Sequence, residues 1–462
     1  MEQYYHSVTL DLAKCKGCTN CIKRCPTEAI RFADGKARIT AERCIDCGKC
    51  LNVCPYHAKV AVTDMLTSIN KFKYKIALPA PALYGQFEGL TNFDTLLASL
   101  QMLGFDDCFE VARGADYASA FIIREMAEGG GMKPYISSAC PAVVRLIQVR
   151  FPDLINNIIP VLAPMEIAAQ LAKKIFCEVR GVPPEDVGAF FITPCAAKMT
   201  VVRSPIGIEK SFVDGCISIM DVYGRLSRMI SKTRGASNLH AATAFGIGWA
   251  NSGGEGRSIQ QKNFLAVDGI HNVIKVLEEI ENGKLSDLDF FEGLSCVGGC
   301  VGGPLVFENS FVAQNRVKKL LSKAKGAPLT EKEINRRRNS LVWKFEKEIA
   351  PKPVMKLDED ITVAIRKMEE MNRIYEALPG MDCGSCGSPS CRTLAEDIVR
   401  GYATEMDCIF KLKEKVKDLA QEMIKLAEKI PLGKDMNSQE HEKVVPDQKI
   451  GRIIPNHEEL DI

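Results

Sequence analysis

Eight of the 19 cysteines in this chain of 462 residues form two runs with one spacing. Each run reads C-x2-C-x2-C-x3-C-P, over residues 15–26 and again over residues 44–55. Three thiolates this close together wrap one 4Fe–4S cube, and the fourth ligand comes from the other run. The doubled spacing excludes a zinc site. We therefore expect two one-electron clusters, held by Cys15, Cys18, Cys21 and Cys54 and by Cys44, Cys47, Cys50 and Cys25.

A third set of cysteines begins in the segment LPGMDCGSCGSPSCRTLAED, towards the carboxyl end. Its spacing resembles that of a small 4Fe–4S domain found in electron-transfer and corrinoid-linked proteins. Gly384, Gly387 and the turn at Ser388-Pro389 would fold the loop around the cube. The set predicts a third 4Fe–4S cluster, with zinc as the alternative, on Cys383, Cys386, Cys391 and Cys408.

The composition excludes several classes of function. A formal net charge of +2 gives no indication of nucleic acid or of an acidic polymer as partner. No apolar run is long enough to span a bilayer, and the amino terminus lacks the apolar core of a signal peptide. We therefore expect a cytoplasmic protein without a membrane partner, whose reduced cysteines bind metal instead of forming disulfides.

The pattern along the chain predicts an α/β (α+β) protein of several domains. Residues 1–65 repeat a short strand, a cysteine loop and a short helix, as expected of a ferredoxin-like dicluster domain. From residue 70 to 345, short apolar strands alternate with amphipathic helices, and a Pro-rich step near 345–355 marks a boundary. Residues 350–409 then form a small iron–sulfur domain, and residues 433–462 have the polar composition of a flexible tail.

Residues 410–432 are predicted to form one amphipathic helix. Its apolar residues step by four and three, as in the seam of a coiled coil. Two interpretations stay open, a coiled coil that makes a homodimer and a helix packed on its own domain. The seam positions are Leu412, Val416, Leu419, Met423, Leu426 and Ile430.

Four further cysteines stand in three separate contexts of the central region: SSACPAVVRL, ITPCAAKMTVVR and LSCVGGCVGGP. None of these spacings is specific alone. Together they resemble the three signature motifs of the iron-only (FeFe) hydrogenases, which read roughly TSCCP, MPCxxKxxE and MACxxGCxxGG. Intervening stretches such as LGFDDCFEVARGADY and PDLINNIIPVLAPM resemble the same family, so the similarity spans most of residues 70–310.

The resemblance implies a two-lobed hydrogenase domain that holds an H-cluster, which is a 4Fe–4S cube joined to a two-iron site with CO, cyanide and azadithiolate. By their motif positions, Cys140, Cys195 and Cys296 would bind the cube, and Cys300 would bind the cube and bridge to the two-iron site. Lys198 matches the family lysine that donates to a cyanide ligand. The implied reaction is the heterolysis of H2, with the accessory clusters carrying the electrons.

The chain departs from the family motifs at two positions that carry protons. Ala139 replaces the TSCCP cysteine whose thiol passes protons to the cofactor amine, and Val201 replaces the glutamate of MPCxxKxxE. Neither side chain relays a proton, and positioned acid–base groups contribute roughly 10²–10⁴ in rate. Because the two losses fall in one relay, we expect slow turnover.

Other residues around the cofactor also differ from the family, which would shift its redox potential. Glu292, four residues before Cys296, matches a family glutamate and could join another proton route, which makes it a catalytic candidate beside Cys300 and Lys198. Further cofactor contacts are expected at Ala139, Met165 and Ser252. Positions that differ from the motifs are Thr193, Leu294, Ala163, Met165, Trp249 and Asn251.

Loss of the relay is typical of sensory hydrogenases, which need H2 to change the redox state of the cluster but do not need fast turnover. The leading interpretation is a low-turnover FeFe hydrogenase that acts as an H2 or redox sensor. Two alternatives stay open, a metabolic ferredoxin-linked hydrogenase with a rerouted proton path and a non-catalytic hydrogenase-like protein of iron–sulfur assembly. Expected partners are H2, a redox protein such as ferredoxin, hydrogenase maturation proteins and a regulatory protein. Cys108, Cys177 and Cys216 are expected to be small buried side chains.

Overall fold

The computed structural model describes residues 5–233, 235 and 238–429, so Ile430 and the predicted tail 433–462 lie outside the described residues. The strands are β1 Val8–Leu10, β2 Ile30–Ala33, β3 Lys36–Ile39, β4 Lys59–Ala61, β5 Tyr74–Pro79, β6 Asp107–Cys108, β7 Tyr135–Ile136, β8 Val187–Thr193, β9 Gly215–Ser218, β10 Phe264–Asp268 and β11 Phe290–Leu294. The helices are α1 Asn20–Lys23, α2 Lys49–Asn52, α3 Phe93–Met102, α4 Val111–Glu128, α5 Pro141–Arg150, α6 Pro164–Arg180, α7 Ala196–Arg203, α8 Ile219–Ile230, α9 Ala244–Gly248, α10 Gly254–Ser258, α11 Ile270–Glu281, α12 Ser310–Leu321, α13 Glu331–Arg338, α14 Ile361–Ala377, α15 Cys391–Val399 and α16 Ile409–Lys429.

The amino-terminal repeat folds as two small antiparallel strand pairs. β1 pairs with β4 and β2 pairs with β3, so the start and the end of the repeat lie side by side. One cysteine of each run lies in a four-residue helix, Cys21 in α1 and Cys50 in α2. Gly17 and Gly48 turn the two cysteine loops with φ values of 69° and 72°, which favour glycine. The predicted ferredoxin-like dicluster region is confirmed.

Two parallel sheets form the centre of the protein. The first has the strand order β6-β5-β8-β9, the second has the order β10-β11-β7, and all neighbouring strands in both are parallel. All seven residues of β8 are buried, as expected for a parallel strand covered on both faces. Helices α3 and α6 pack against β5, and α11 packs against β10 and β11. This arrangement confirms the predicted mixed α/β fold.

The carboxyl ends of three strands lead directly into the cysteine motifs. β7 ends at Ile136 shortly before Cys140, while β8 and β11 end two residues before Cys195 and Cys296. Ligands of α/β proteins bind in the crevice outside the carboxyl ends of parallel strands. The topology therefore places these motifs where a cofactor site is expected.

The carboxyl-terminal part is helical. α14 and α15 pack on each other, and the Ser390 hydroxyl caps α15 by accepting the Thr393 amide. The predicted helix 410–432 is observed as α16 up to Lys429. Its described seam positions are between 46% and 70% exposed: Leu412, Val416, Leu419, Met423 and Leu426.

The chain divides into two compact units, Met1–Ile409 and Phe410–Ile462. Contacts therefore unite the predicted domains 1–65, 70–345 and 350–409 in one body, and the boundaries between them stay predictions. In the described part of the chain, no helix combines the length and the apolarity that crossing a membrane requires.

Candidate functional site

Four cysteines, here called the central set, lie at the carboxyl edge of the two sheets. Cys140 is the N-cap residue of α5, and Cys195 is the N-cap residue of α7. Cys296 follows β11, and Cys300 begins a 3-10 turn that ends at Gly302. Helix N-termini carry a partial positive charge, which favours a thiolate over a thiol. The strand ends thus deliver Cys140, Cys195, Cys296 and Cys300 to one region of the fold.

The thiols of the central set lie close enough to interact electrostatically. Burial and the charge of Cys140 raise the pKa of Cys195 to about 11, although Lys198 opposes the shift. Burial raises the pKa of Cys300 to about 12, with Lys198 lowering it and both Cys140 and Cys195 raising it. Burial and the charges of the other three cysteines hold the pKa of Cys296 well above its usual range. The structure therefore brings all four predicted ligands together.

The donors of the central set fit an iron–sulfur group. Four buried thiolates repel one another unless a metal balances their charge, and coordination deprotonates a thiol outright. The backbone beside them is closely packed, because a side chain at Gly299 would lie 2.6 Å from the Ser252 amide nitrogen. A side chain at Gly302 would lie 2.1 Å from the Val297 carbonyl oxygen. Only glycine lets this loop fold so closely beside the four sulfurs.

A cavity adjoins Cys300 and is lined by residues of all three motifs. Lys198 is 9% exposed, and its ammonium donates to the Ala139 carbonyl oxygen at 3.2 Å. A charged donor that is so well shielded from water interacts strongly with any anionic ligand that enters the cavity. The polar and variable residues of the lining are Ala139, Lys198, Trp249, Glu255, Glu292 and Leu294.

Two buried carboxyl groups face this cavity. Both oxygens of Glu292 accept backbone amides, from Gly253 and Gly256, at 2.9 Å each. One oxygen of Glu255 accepts the Ser137 hydroxyl at 2.5 Å, and the other has no hydrogen-bond partner among the described residues. Burial raises the pKa of both carboxyl groups, and the charge of Glu292 raises that of Glu255 further. Like charges in a dry site favour a state in which the pair holds one proton.

Two of the predicted cofactor contacts are not in the lining of the Cys300 cavity. Met165 lines a neighbouring cavity together with Ala163, Val201 and Lys198. Ser252 is outside the lining of the Cys300 cavity, and its backbone amide donates to the Gly298 carbonyl at 3.2 Å. Of the predicted contacts, Lys198 and Ala139 lie beside Cys300, whereas Met165 and Ser252 do not line the same space.

Cys25, Cys44, Cys47 and Cys50, here called the proximal set, line one cavity in the dicluster region. The sulfur of Cys25 accepts the Ala29 amide at 3.2 Å, and the repeat places the same 3.2 Å contact between Cys54 and the Ala58 amide. Amides directed at sulfur are the usual surroundings of cluster thiolates. The last cysteine of the first run therefore lies with the second run, as the spacing predicts.

The remaining cysteines of the dicluster region, here called the distal set, are Cys15, Cys18, Cys21 and Cys54. Burial raises the pKa of Cys21, and the charges of Cys18 and Cys54 raise it further. Cys15, Cys21 and Cys54 share one small hydrophobic cluster, against which Cys25 and Cys50 also pack. The distal set is thus gathered next to the proximal set, with Cys18 exposed to solvent.

The cysteines near the carboxyl end, here called the C-terminal set, are Cys383, Cys386, Cys391 and Cys408. The charges of Cys383 and Cys408 both raise the pKa of Cys386, whose largest shift comes from burial. The amide of Cys391 donates to the Asp382 carboxylate at 2.6 Å, which ties the start of α15 to the cysteine loop. The structure therefore gathers Cys383, Cys386 and Cys408 closely and holds Cys391 on the same loop.

Glu255 and Ser137 were not predicted from the sequence. A signal for Glu255 was present, because it is a charged residue within the glycine-rich stretch GWANSGGEG. Asp46 was also not predicted; it accepts the Val8 amide at 3.0 Å and pairs with His6 at 2.9 Å and with Arg145 at 3.4 Å. These contacts fix the loop of the proximal set against α5, and no spacing along the chain predicts them.

Of the three unassigned cysteines, Cys216 is fully buried, whereas Cys108 and Cys177 are half-buried. The Cys108 thiol donates to the Leu97 carbonyl at 3.3 Å.

Comparison with protein-family models matches three segments of the chain. Residues 73–254 and 229–304 match the model described as iron only hydrogenase large subunit, C-terminal domain. Residues 7–55 match a 4Fe-4S dicluster domain, and residues 378–410 match a model for an Fe-S cluster segment. The hydrogenase match alone runs from residue 73 to residue 304, which is half of the chain.

Known relatives are distant in sequence. Iron hydrogenase 1 of Clostridium pasteurianum is 24% identical over 373 residues, which cover 64% of this chain and 64% of that protein. The periplasmic Fe hydrogenase large subunit of Nitratidesulfovibrio vulgaris is 26% identical over 67% of this chain and 89% of its own length. A solved structure of a variant of FeFe-hydrogenase HydA1 from Chlamydomonas reinhardtii is 16% identical with a TM-score of 0.44, covering 63% of this chain and 98% of that one.

The family match covers all four cysteines of the central set, Lys198 and both strand systems that position them. The dicluster and Fe-S matches cover the other twelve predicted cluster ligands. The chain therefore belongs to the iron-only hydrogenase family and is an iron–sulfur protein with a dicluster region and a further Fe-S segment.

Proposed function

We propose that this protein is a slow FeFe hydrogenase that interconverts H2 with protons and electrons and serves as an H2 or redox sensor. The observation that carries the proposal is one cavity that Cys300 of the central set lines together with Lys198 and a buried pair of carboxyl groups. The thiols would hold the cube of an H-cluster, and this group, when bound, supplies the chemistry that splits H2.

Lys198 has the role of binding and orienting the cofactor. Its ammonium lies beside Cys195 and Cys300, where its charge lowers the pKa of both thiols. It is buried and lines the cavity next to Ala139, where a cyanide ligand would find a single strong donor. Replacing this lysine by a neutral residue would leave an anionic ligand without its counter-charge.

Glu255 and Glu292 have the role of holding and moving a proton. Ala139 offers no group that exchanges protons, so the carboxyl pair is the acid–base machinery beside Cys300. Glu255 shares the Cys300 cavity with Glu292, and the Ser137 hydroxyl, which donates to Glu255, offers the next oxygen along a relay. The pair thus substitutes for the family relay by a different path.

The rest of the lining keeps water away from this exchange. Leu294, Ala250, Pro194 and Phe191 contribute apolar surface around the carboxyl groups. Exclusion of water raises the pKa of Glu255 and Glu292 and lets a proton stay near neutral pH. A pKa near the working pH lets a carboxyl both take up and release a proton. The slow turnover of this proposal therefore rests on Ala139 and Val201, which replace the relay residues of the family, and not on the carboxyl pair.

One alternative is favoured by a specific observation. Because Glu255 and Glu292 could form an efficient route, the protein could instead be a fast metabolic hydrogenase. Protein-film electrochemistry separates the two functions: small catalytic currents support the sensor, and large currents in both directions support the metabolic enzyme. Expected partners are a one-electron redox protein such as ferredoxin, the maturation proteins that load the two-iron site, and a regulatory protein.

Infrared spectroscopy of the matured protein tests the function as a whole. Bands from CO and cyanide that shift when H2 is added would support a working H-cluster. A protein that carries iron and sulfide but gives none of these bands after treatment with maturation proteins would belong with the non-catalytic assembly proteins. The Lys198→Met variant should bind less of the two-iron site, whereas Lys275→Met, which lies on α11 away from the cavity, should bind as much as the native chain.

A further inference from the structure

Residues that follow the hydrogenase domain in sequence pack in space against the ferredoxin-like region. The Phe32 amide donates to the Gly387 carbonyl at 2.9 Å, which joins β2 to the C-terminal cysteine loop. Arg31 binds both oxygens of Asp397, at 2.7 Å and 3.0 Å. Asp397 also accepts the Ser388 hydroxyl at 2.9 Å. A two-point ion pair that is largely buried fixes both the position and the orientation of its partners.

A second ion-pair group holds the same interface. Arg43 contacts both oxygens of Glu396, and Arg400 donates to Glu396 at 2.8 Å. The side chains of Arg43 and Glu396 are 8% and 12% exposed. Breaking one partner of such a buried group is costly, so this docking belongs to the folded protein and is not a chance surface contact.

The cysteine loops of the distal and C-terminal sets approach each other across one side chain. A side chain at Gly17, next to Cys18, would lie 2.7 Å from the ring of Phe32. A side chain at Gly387, next to Cys386, would lie 2.2 Å from the backbone oxygen of Phe32. Both loops therefore contact Phe32, one at its ring and the other at its backbone. Lys23 lies beside Gly384 as well, 3.2 Å from a side chain placed there.

From the distal set, the path continues through the proximal set to the central set. Helices α1 and α2, which carry Cys21 and Cys50, pack on each other, and this contact links the distal set to the proximal set. Cys47 and Cys140 pack against one hydrophobic cluster, which links the proximal set to the central set. A side chain at Gly48 would lie 2.4 Å from Pro304, which directly follows the glycines of the central motif.

We propose that the four cysteine sets form one unbranched electron path, whose outer end is the C-terminal set. The order is central, proximal, distal and C-terminal. The position of the C-terminal set in the sequence would suggest a second electron path that runs from the central set directly to the C-terminal set. Such a branch does not fit these contacts. The order rests on packing alone, so it holds whichever reaction takes place at the central set.

The electron balance of the path is simple. One H2 releases two protons and two electrons, and a 4Fe–4S cluster held by each cysteine set would supply one-electron transfer. The two electrons would leave at the C-terminal set by reducing two equivalents of a one-electron acceptor protein. Exposed apolar side chains beside this set give such an acceptor a place to dock: Met381, Tyr402 and Met406.

The test is the magnetic interaction between reduced clusters, measured by electron paramagnetic resonance on the full chain. Neighbouring reduced clusters broaden and split each other's signals. The Cys386→Ala variant should lose one cluster, and the signal of the distal cluster should become narrow. Cys177→Ala, a cysteine outside all four sets, should leave both iron content and signals unchanged. A distal signal that is the same with and without the C-terminal cluster would overturn the proposal.

A second variant tests the same contact without removing a cysteine, in case Cys386→Ala does not fold. Arg31→Gln combined with Asp397→Asn removes the charged contact while all four cysteine sets stay intact. We expect unchanged iron content but a weaker interaction between the distal and C-terminal signals.

Stopped-flow reduction by a reduced bacterial two-cluster ferredoxin gives an independent readout. The rate at which the inner clusters become reduced should fall at least tenfold in Cys386→Ala. A rate equal to that of the native chain would show that electrons enter elsewhere, for instance at the exposed Cys18. Failure of the H2 reaction would not affect either measurement, so the two proposals can fail separately.

Discussion

The carboxyl groups of Glu255 and Glu292 lie close enough that the negative charge of Glu292 raises the pKa of Glu255. Both are buried, and both line the cavity that contains Cys300 and Ala139. A carboxyl pair thus stands beside the position where the family carries a proton-relaying cysteine. This relationship is the basis of the predictions for the carboxyl variants and for the pH dependence of stability.

Glu255→Gln and Glu292→Gln should each lower H2 turnover by about 10²-fold, because positioned acid–base groups contribute roughly 10²–10⁴ in rate. Catalytic current on an electrode measures the effect. Glu185→Gln, an exposed carboxyl on a 3-10 turn, is the matched control and should keep native currents. Unchanged currents in both variants would remove the pair from the proton route. The double variant should be little worse than either single one, since the two groups act as one unit.

Restoring the family cysteine should do little on its own. Ala139→Cys places a thiol near Lys198, but Val201 still interrupts the family relay behind it. We expect turnover to rise by less than about threefold, because members of a relay do not act independently. Electrode currents of Ala139→Cys and of the isosteric control Ala139→Ser measure this. A rise towards the roughly 10²-fold range would mean that the missing cysteine alone limits the rate.

The pH dependence of stability should report the raised pKa of Glu255. In the folded chain this carboxyl keeps its proton above the ordinary value of 4.5, so the folded state binds more protons than the unfolded one. The stabilising contribution is fully present below 4.5 and is lost as the pH rises through the raised pKa. Glu255→Gln should reduce this decline, by up to about 1.4 kcal/mol per pH unit.

Chemical denaturation at a series of pH values measures the slope. Glu185→Gln should show the same slope as the native chain, since its side chain is exposed. An identical slope in Glu255→Gln would show that the carboxyl ionises at its ordinary value, and the shared-proton description of the pair would then be wrong.

Removal of iron should reveal two classes of cysteine. Burial alone would raise the pKa of Cys54, but the amides of Lys59, Ala58 and Tyr56 lower it below its usual value. Hydrogen bonds from Ser385 likewise lower the pKa of Cys383. In contrast, the pKa of Cys195 rises to about 11.

Because the thiolate is the species that reacts, Cys54 and Cys383 should be alkylated at least about tenfold faster than Cys195 near neutral pH. Mass spectrometry of the iron-free chain after timed treatment with iodoacetamide gives the order. Equal rates at all three would contradict the local hydrogen bonding. In the iron-loaded protein all three should resist alkylation.

The exposed seam of α16 predicts self-association of the chain. Leu419→Glu places a charge in the centre of the seam and should convert a dimer to a monomer, as measured by light scattering. Lys417→Glu, two residues away along the helix and outside the seam, is the control and should keep the native mass. A native chain that is monomeric in the same measurement would contradict the prediction that the seam forms a dimer.

The fold class and the cluster ligands were largely predictable because both depend on local patterns. Spacing alone joined Cys25 to the second cysteine run, since the repeat dictates where its chain returns. Likewise, the short apolar run GAFFIT predicts a strand, and the structure has β8 there with all seven residues buried. The predicted fold therefore followed from periodicity and composition.

The pairing of Glu255 with Glu292 was not predictable, because it depends on two elements that meet only in the folded chain. Glu292 lies on β11, and Glu255 lies on α10, where glycine amides turn inward to bind the Glu292 carboxylate. Similarly, the docking of Asp397 on Arg31 spans 366 residues. Contacts at such separation leave no periodic trace along the sequence.

The long separation between Arg31 and Asp397 also governs how the protein is made. A ribosome releases Arg31 and Arg43 long before their partners, 366 and 353 residues later. Until Glu396 and Asp397 emerge, one side of the ferredoxin-like region is exposed to solvent, and Arg31 and Arg43 lack the carboxylates that they pair with in the complete fold. This side of the ferredoxin-like region is therefore covered only when the carboxyl-terminal segment has been synthesised. A prematurely terminated chain would leave Arg31, Arg43 and the edge of β2 exposed to solvent.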